Sequence, residues 1–278
     1  MGTFVAVTEK NWLAAHPYLR ALAEFHAIVG AAVNSLPNDL CCVPNWHDYI
    51  NDFHAGVPLL RSSNRAINLK PVKPMVESLI EKLGSIPLPN NLMQQVHELA
   101  QELSRDPEAS IDVMARSFDE TTHTISHCGL LRYLSWAAVA KYLSKVVTAF
   151  DGWCDEERWL RSYCPICGSL PAMAQLIGSD PAKMRLLSCG CCGTRWRFRR
   201  IGCPFCENKN DHQLAVLTIK GEADLRIDFC EFCKGYLKTY DGTGGEAVLL
   251  LDWTSLHLDV IAQDRGLKRL GDSLYALR

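Results

Sequence analysis

Apolar residues recur at steps of three and four along most of the first 160 residues, a spacing that places them on one face of an α-helix. Between Glu9 and Ser35 the pattern predicts a short helix and a longer one, separated at Pro17, with Thr8 as a candidate N-cap. Further helices are predicted over residues 44–54, 71–83, 91–103, 110–126 and 130–150. A run of about six helices predicts a packed helical bundle.

After Trp153 the pattern changes from helical spacing to short alternating segments bounded by cysteines and turn residues. Short strands are predicted over residues 183–187, 194–199, 214–219, 225–229 and 236–240. Helical spacing returns over residues 252–265 and predicts a C-terminal helix. The sequence therefore predicts an α+β protein with a helical region followed by a strand-rich one.

Composition limits the classes of function without identifying one. The chain has 278 residues, 29 Lys and Arg against 31 Asp and Glu, and a net charge of −2. This balance gives no general case for nucleic-acid binding or for a polybasic membrane surface. No apolar run reaches the length of a membrane span, and the first residues lack a signal-peptide pattern. We therefore expect a cytoplasmic protein without membrane insertion.

The exceptional feature is 13 cysteines, nine of which lie between Cys164 and Cys233. Eight of these nine form four CxxC pairs: Cys164 and Cys167, Cys189 and Cys192, Cys203 and Cys206, Cys230 and Cys233. The gap between the first and second pairs is 21 residues, that between the third and fourth is 23, and only 10 separate the two halves. The spacing predicts two tandem units, each of which brings four thiolates from two tight turns onto one tetrahedral ion.

Residues beside the cysteines favour metal binding over redox or core roles. Pro165 and Pro204 stiffen their turns, and Gly168 and Gly193 permit a positive φ directly after the second cysteine of a pair. A thioredoxin-like CxxC motif usually occurs once, whereas here four pairs fall within about 70 residues. Four sulfur ligands suit zinc or a single iron ion, and the spacing does not choose between them. Cys191 is interpreted as a neighbour of the ligands, although it is an alternative to Cys189.

The predicted organisation has four segments. They are a helical domain over residues 1–160, two rubredoxin-like or zinc-ribbon four-cysteine modules over 161–201 and 202–243, and a C-terminal helical segment over 244–278. Each module has little core of its own, so we expect its metal ion to contribute free energy to folding. The fold is thus predicted to be multidomain α+β, with an N-terminal helical bundle, tandem modules and a C-terminal helix.

The cysteine pairs are embedded in a specific order of segments: CPICG, LLSCGCCGTRWRFRRIGCPFC, FCEFCKGYLKTY and LDWTSLHLDVIAQDRG. This order resembles the formate dehydrogenase accessory proteins of the E type, the FdhE family. The resemblance covers the cysteine-rich half and the C-terminal helix closely, and the helical first half more loosely.

The resemblance implies a cytoplasmic maturation protein without catalytic turnover. Its implied partner is the catalytic subunit of a respiratory, molybdenum-dependent formate dehydrogenase. It further implies two rubredoxin-like modules that each bind one iron ion, with zinc as the alternative metal. The implied ligands are Cys164, Cys167, Cys189, Cys192, Cys203, Cys206, Cys230 and Cys233. Self-association is left open.

Two other functions remain as alternatives. The segment RWRFRR at residues 195–200 alternates arginines with aromatic residues and is a candidate nucleic-acid-binding strip, since tandem zinc ribbons often bind DNA or RNA. The simpler interpretation buries Trp196 and Phe198 and presents the arginines to solvent or to an acidic partner, so no nucleic-acid partner is expected. Rubredoxin-like ligation would also suit electron transfer. No nucleophile elbow, phosphate loop or dinucleotide fingerprint is present, which favours an accessory role over an enzyme.

Outside the CxxC pairs, two histidine pairs have helical spacing and are weaker metal candidates. These are His123 with His127 and His47 with His54, and an ordinary helix surface is the preferred interpretation of both. Four scattered cysteines receive no predicted role: Cys41, Cys42, Cys128 and Cys154.

Overall fold

Helices dominate the first part of the chain in a computed structural model that describes residues 7–37, 41–62, 67–105, 127–155, 157–179 and 182–275. The helices are α1 (Glu9–Ala15), α2 (Arg20–Asn34), α3 (Trp46–Ala55), α4 (Val72–Gly84), α5 (Asn90–Arg105) and α6 (Cys128–Trp153). None of the helices in these ranges combines the length and apolar character that crossing a bilayer requires.

Local signals set several helix limits where the sequence predicts them. The Thr8 side chain accepts a hydrogen bond from the Asn11 N–H at 3.3 Å, which confirms the N-cap. Pro17 begins a 3-10 turn that separates α1 from α2, and α3 ends at Gly56 in the left-handed conformation, with φ +80°. The helix predicted over 110–126 lies outside the described residues.

The core of the helical region extends into the first four-cysteine module. The inward face of α6 carries Leu131, Leu143 and Phe150, all buried, and these side chains belong to one apolar cluster with buried residues of α4 and α5. The same cluster includes Cys164 and Trp196. The helical region and the first module are therefore packed as one hydrophobic unit.

The strand-rich region contains β1 (Met173–Ile177), β2 (Met184–Ser188), β3 (Arg195–Phe198), β4 (Leu214–Ile219), β5 (Glu222–Cys230), β6 (Gly235–Asp241) and β7 (Lys268–Arg269). Between β6 and β7 lie α7 (Glu246–Leu249), a 3-10 turn over Asp252–Ser255 and α8 (Leu256–Asp264). The helix predicted over 252–265 is thus divided between a 3-10 turn and α8.

One mixed sheet contains strands of both modules. Its order among the described residues is β3-β2-β1-β6-β5-β4, and β7 also pairs with β6. Neighbours within each module are antiparallel, whereas β1 and β6 are parallel, with Met173 opposite Lys238 and Leu176 opposite Asp241. The predicted α+β class with tandem four-cysteine modules is confirmed, and the parallel pairing makes the two modules continuous. The sequence prediction missed β1, because its first four residues are all buried and show no polar alternation.

A buried cluster of charges fixes the C-terminal segment to β6. Lys238 is fully buried, and its Nζ lies 2.7 Å from Asp252 Oδ1 and 2.7 Å from Asp259 Oδ2. Arg269 pairs with both carboxylates, and the Tyr236 hydroxyl donates to Asp259 Oδ1 at 2.7 Å. Burial opposes ionisation of Asp252, but Lys238 and Arg269 hold the pKa of this carboxyl well below its usual range. Two cations and two carboxylates thus neutralise one another inside the protein.

Candidate metal centres

The first cluster brings together Cys164, Cys167, Cys189 and Cys192, whose sulfur atoms lie within 4.8 Å of one another. The Cys164 and Cys192 sulfurs are 3.5 Å apart, and those of Cys167 and Cys189 are 3.4 Å apart. Cys164 and Cys167 precede β1, while Cys189 and Cys192 lie in the turn between β2 and β3. The fold therefore closes the first CxxC…CxxC unit onto one point, as its spacing predicts.

The second cluster brings together Cys203, Cys206, Cys230 and Cys233 within the same 4.8 Å limit. The Cys203 and Cys233 sulfurs are 3.6 Å apart, and those of Cys206 and Cys230 are 3.8 Å apart. Cys203 and Cys206 lie in the connection from β3 to β4, and Cys230 ends β5 just before the tight turn into β6. The second unit also closes on itself, so neither cluster exchanges ligands with the other.

All four pairs adopt the same backbone turn. In each, the N–H of the residue after the second cysteine donates to the carbonyl of the first cysteine, at 2.8 to 3.2 Å. That residue has a positive φ in every case: Gly168 (82°), Gly193 (77°), Glu207 (57°) and Lys234 (60°). The prediction for the two glycines is confirmed, and the second module reaches the same conformation with non-glycine residues.

Polar groups around the sulfurs provide the surroundings that thiolates need. The backbone N–H groups of Cys192, Phe205 and Gly235 each donate to a cysteine sulfur at 3.4 to 3.5 Å. The Thr194 hydroxyl lies 3.0 Å from the Cys192 sulfur, and Asn208 Nδ2 donates to the Cys230 sulfur at 3.7 Å. Such contacts stabilise negative charge on sulfur and orient the ligands.

The geometry fits a tetrahedral ion. Metal–sulfur bonds of about 2.3 Å at tetrahedral angles place neighbouring sulfurs about 3.8 Å apart. The sulfur–sulfur distances of the two pairs in each cluster, 3.4 to 3.8 Å, are close to this value and far longer than a disulfide bond. Each cluster can therefore hold one ion through four thiolates, and both zinc and iron accept this ligand set.

The first cluster is enclosed by the helical region. Its four cysteines are at most 5% exposed. The backbone N–H groups of Leu59 and Leu60 donate to the carbonyls of Pro165 and Ile166, at 2.8 and 2.9 Å, so the chain between α3 and α4 lies along this turn. Burial raises the pKa of the Cys164 thiol well above its usual value, whereas hydrogen bonds from neighbouring thiols lower that of Cys167.

The second cluster lies closer to the surface. Cys203 and Cys230 are buried, but Cys206 and Cys233 are only half-buried. Burial favours the neutral thiol of Cys230, yet hydrogen bonds from the Cys233 backbone and from Asn208 lower its pKa to about 7. The Phe232 side chain, between the last two ligands, is 72% exposed. This cluster is therefore the more accessible of the two.

A buried arginine connects the two modules. Arg185 lies on β2 of the first module, and its Nη1 donates to the carbonyl of Gly202 at 3.0 Å, directly before Cys203. Its Nη2 lies 3.8 Å from Asp228 Oδ2 on β5. A cation in this place offsets part of the negative charge that four thiolates leave on a metal site.

The remaining cysteines are not among the convergent sulfurs of either cluster. Cys191 is buried but is not among the four convergent sulfurs of the first cluster, in agreement with its interpretation as a neighbour. Cys41 is buried, Cys42 and Cys128 are exposed, and Cys154 is partly buried. The structure brings none of these into a metal-binding group of the described residues.

The predicted histidine pairs do not form sites among the described residues. His47 and His54 lie on α3, and His54 Nε2 is 3.4 Å from Arg158 Nη1. His127, the residue before α6, pairs with Glu98 on α5 at 2.6 Å, whereas His123 lies outside the described residues. The sequence did not predict a third group, which consists of His16, Glu222 and His257. These residues are far apart in the chain, so no local motif indicates that they converge.

The arginine-rich strand β3 agrees with the simpler of its two interpretations. Trp196 and Phe198 are each 3% exposed, and the Trp196 indole donates to the carbonyl of Arg161 at 3.0 Å. Arg195 donates to Gln175, and Arg197 pairs with Glu157 at 2.8 Å. The two aromatic rings are therefore unavailable for stacking on nucleic-acid bases.

The fold and the clusters define a class of protein: a helical region followed by paired four-cysteine modules that share one sheet. The family model described as "FdhE, central domain" matches residues 163–200, the first module. An FdhE homolog of Aquifex aeolicus is 36% identical over 116 residues, which are 40% of this chain and 41% of that protein. A Pseudomonas aeruginosa FdhE homolog is also 36% identical, over 127 residues, 42% of this chain and 40% of its own length.

The crystal structure of the FdhE protein from Pseudomonas aeruginosa has the same fold. The TM-score is 0.62 at 22% sequence identity, over 94% of this chain and 89% of that one. The chain is thus similar to FdhE proteins in the sequence of its first module and in its fold. Its sequence matches span less than half the length of these two curated relatives.

Proposed function

We propose that this chain is a cytoplasmic accessory protein needed for the activity of a respiratory formate dehydrogenase, and that it acts by binding and not by catalysis. The observation that carries the proposal is the pair of four-thiolate clusters in an FdhE-family fold. Such sites lack the open coordination position that catalytic metal centres keep. The proposed partner is the catalytic subunit of the molybdenum-dependent enzyme.

The eight clustered cysteines are the proposed ligands of two metal ions. Because each cluster draws its ligands from one module, we also propose 161–201 and 202–243 as the two metal-binding units, between a helical domain at 1–160 and a C-terminal segment at 244–278. Iron is the proposed metal because the resemblance to the FdhE proteins implies it, and four thiolates with surrounding N–H donors accept a single ferric or ferrous ion. Zinc is the alternative, with the same ligands.

Metal analysis of the purified protein tests this assignment. We expect two iron equivalents per chain and an absorption spectrum with ferric–thiolate bands. Two zinc equivalents and a featureless visible spectrum would replace iron by zinc, and would exclude electron transfer, because zinc has no redox chemistry in such a site. Fewer than two metal equivalents after expression with ample metal would contradict the ligand assignment itself.

The surface beside the second cluster supports a protein partner. Three large apolar side chains are strongly exposed there: Phe232 at 72%, Ile201 at 57% and Val216 at 51%. Ile201 and Val216 line the same groove as Cys203 and Cys230. Exposed apolar side chains beside a module held rigid by metal ligation are typical of protein interaction sites. We infer that the catalytic subunit contacts this side of the second module.

A capture experiment tests the partner. The tagged protein, expressed in formate-respiring cells, should retain the catalytic subunit, and Phe232→Ala should lose most of it because a central aromatic anchor is removed. Val260→Ala is the matched control: Val260 is 48% exposed on α8, and this variant should bind normally. Recovery of no formate dehydrogenase subunit by the unaltered protein would contradict the proposal, as would full enzyme activity in a strain that lacks the protein.

A further inference from the structure

Three side chains from three distant segments converge away from both cysteine clusters. His16 follows α1, Glu222 begins β5, and His257 lies in the first turn of α8. The Nε2 atoms of His16 and His257 lie 2.9 and 3.0 Å from the same oxygen, Oε1 of Glu222. The side chains of His16, Glu222 and His257 are 13%, 12% and 20% exposed, so the group is sheltered but reachable from solvent.

The hydrogen bond on the other side of the His16 ring indicates which nitrogen is free. Nδ1 of His16 lies 3.0 Å from the carbonyl oxygen of Trp12, which can only accept, so Nδ1 carries the proton. In the neutral ring, Nε2 then presents a lone pair to the Glu222 carboxylate. Two electron-rich atoms at 2.9 Å need a positive charge between or beside them. A histidine that donates one N–H to a backbone carbonyl also has the arrangement found in most metal-ligating histidines.

His257 approaches the same carboxylate oxygen from α8. Its Nε2 lies 3.0 Å from Oε1 of Glu222, and its Nδ1 has no hydrogen-bond partner among the described residues. An ion about 2.1 Å from both a nitrogen and an oxygen that are themselves about 3 Å apart would make an angle of about 90° with them, which is the angle between neighbouring ligands in octahedral coordination.

We propose that His16, Glu222 and His257 form a third metal site, which binds a divalent transition-metal ion such as Zn²⁺ through two imidazole nitrogens and one carboxylate oxygen. The donor set differs from the thiolate clusters and leaves coordination positions open to water or to a ligand. The Tyr18 ring lies edge-on to both imidazoles, with ring centroids 5.8 and 6.3 Å away, and forms one wall of the site.

The site would fasten the N-terminal helix to the second module. Helix α1 has only seven residues and buries none of them. Its contact with the rest of the protein includes the Trp12 indole, which donates to the carbonyl of Thr254 at 3.0 Å. An ion shared by His16, β5 and α8 would hold this short helix in place. The proposal does not depend on the function proposed for the protein.

Cobalt binding tests the proposal in the full-length protein whose cysteine clusters retain their metal. After removal of loosely bound metal with a chelator, Co²⁺ titration should show one further equivalent per chain. Its visible bands should be those of nitrogen and oxygen coordination, without thiolate-to-cobalt charge transfer. His257→Gln and Glu222→Gln should each lose this equivalent, while the metal content of the cysteine clusters stays unchanged.

His212→Gln is the matched control, since His212 is 92% exposed in the same module and pairs only weakly with Asp211, at 3.8 Å. It should bind Co²⁺ like the unaltered protein. Hydrogen exchange gives a second measurement: a saturating ion should slow exchange of the α1 amides by about tenfold or more, but not in His257→Gln. Absence of a third equivalent, its retention in both site variants, or thiolate-type bands would each overturn the proposal.

Discussion

The two four-cysteine clusters share their ligand type, their turns and their sulfur–sulfur distances, but they lie in different surroundings. The first cluster is part of the core that continues into the helical region, and its most exposed cysteine, Cys167, is at 5%. In the second, Cys206 and Cys233 are partly exposed, and Phe232 between the ligands reaches into solvent. The same local motif thus gives an internal site in one module and a surface site in the other.

The difference shows that the CxxC motif determines the geometry of the four ligands, whereas the elements packed around a cluster determine how exposed it is. The first cluster is covered by the segment after α3, which donates backbone hydrogen bonds to the turn at Pro165. The second cluster contacts the sheet through Arg185, which donates to the carbonyl of Gly202. The turn that contains Phe232 is not covered, since this side chain is 72% exposed. We therefore assign the first ion mainly to holding the fold and the second to a position beside the partner surface.

The sharpest test compares one ligand substitution in each cluster. Cys189→Ser should lose one metal ion and lower the free energy of unfolding by about 5 kcal/mol or more, because it leaves three thiols and a hydroxyl uncompensated within the shared core. Cys230→Ser should also lose one metal ion but leave the helical region folded. Metal content and thermal unfolding followed by circular dichroism measure both effects.

The comparison fails if the two variants lose equal stability, or if Cys230→Ser also melts the helices. Full metal retention with an unchanged melting temperature in either variant would contradict the assignment of that cysteine as a ligand. Cys191→Ser is the control beside the first cluster, and it should keep both metal ions because Cys191 is outside the ligand group.

The second module contains one residue, Lys238, that is as deeply buried as the first cluster. Its substitution should have the next largest effect on the free energy of unfolding. Lys238→Met leaves two carboxylates with only Arg269 to balance them, in a region where Lys238 itself is fully buried. We expect a loss of about 3–5 kcal/mol in the free energy of unfolding. Denaturant unfolding of the metal-loaded protein measures this loss.

Lys183→Met is the matched control. Lys183 pairs with Asp241 at 2.7 Å but is 20% exposed, so its loss should cost about 1 kcal/mol or less. Equal effects of the two lysine substitutions would show that the charge cluster is not a main attachment of the C-terminal segment. The whole second module, and not only its metal site, would then contribute little to the stability of the protein.

Local patterns were sufficient to predict the features that depend on local geometry. The turns at Gly168 and Gly193, the N-cap at Thr8 and the inward side of Trp196 all follow from a few adjacent residues, and the structure confirms them. The α+β class also follows from the change of period after the helical region.

Features that depend on distant partners were not predictable in this way. The parallel pairing of β1 with β6 joins segments more than 60 residues apart, and no pattern within either strand selects that partner. Lys238 alternates with tyrosines along β6, which does not reveal that two carboxylates from the C-terminal segment neutralise it. The difference in exposure between the two clusters likewise depends on which elements cover them.

The smallest predicted effect concerns the turns, where the modules differ in one residue type. Gly193 has φ 77° and nothing within 4 Å of the position of an added Cβ, so Gly193→Ala meets no steric obstacle beyond the backbone conformation itself. We expect it to lower the free energy of unfolding by about 1 kcal/mol. Glu207 holds the same conformation, with φ 57°, and Glu207→Gly should relieve a similar strain and raise the stability by up to about 1 kcal/mol.

Denaturant unfolding of the two variants, both with full metal content, checks these opposite signs. Two losses would mean that the carboxylate side chain of Glu207 stabilises its turn in a way that the backbone does not show. The expected pair of signs would mean that the second module retains conformational strain that the first has relieved with glycine. That outcome fits a second metal site selected for its surface position, since an exposed turn tolerates a small loss of stability more easily than the core does.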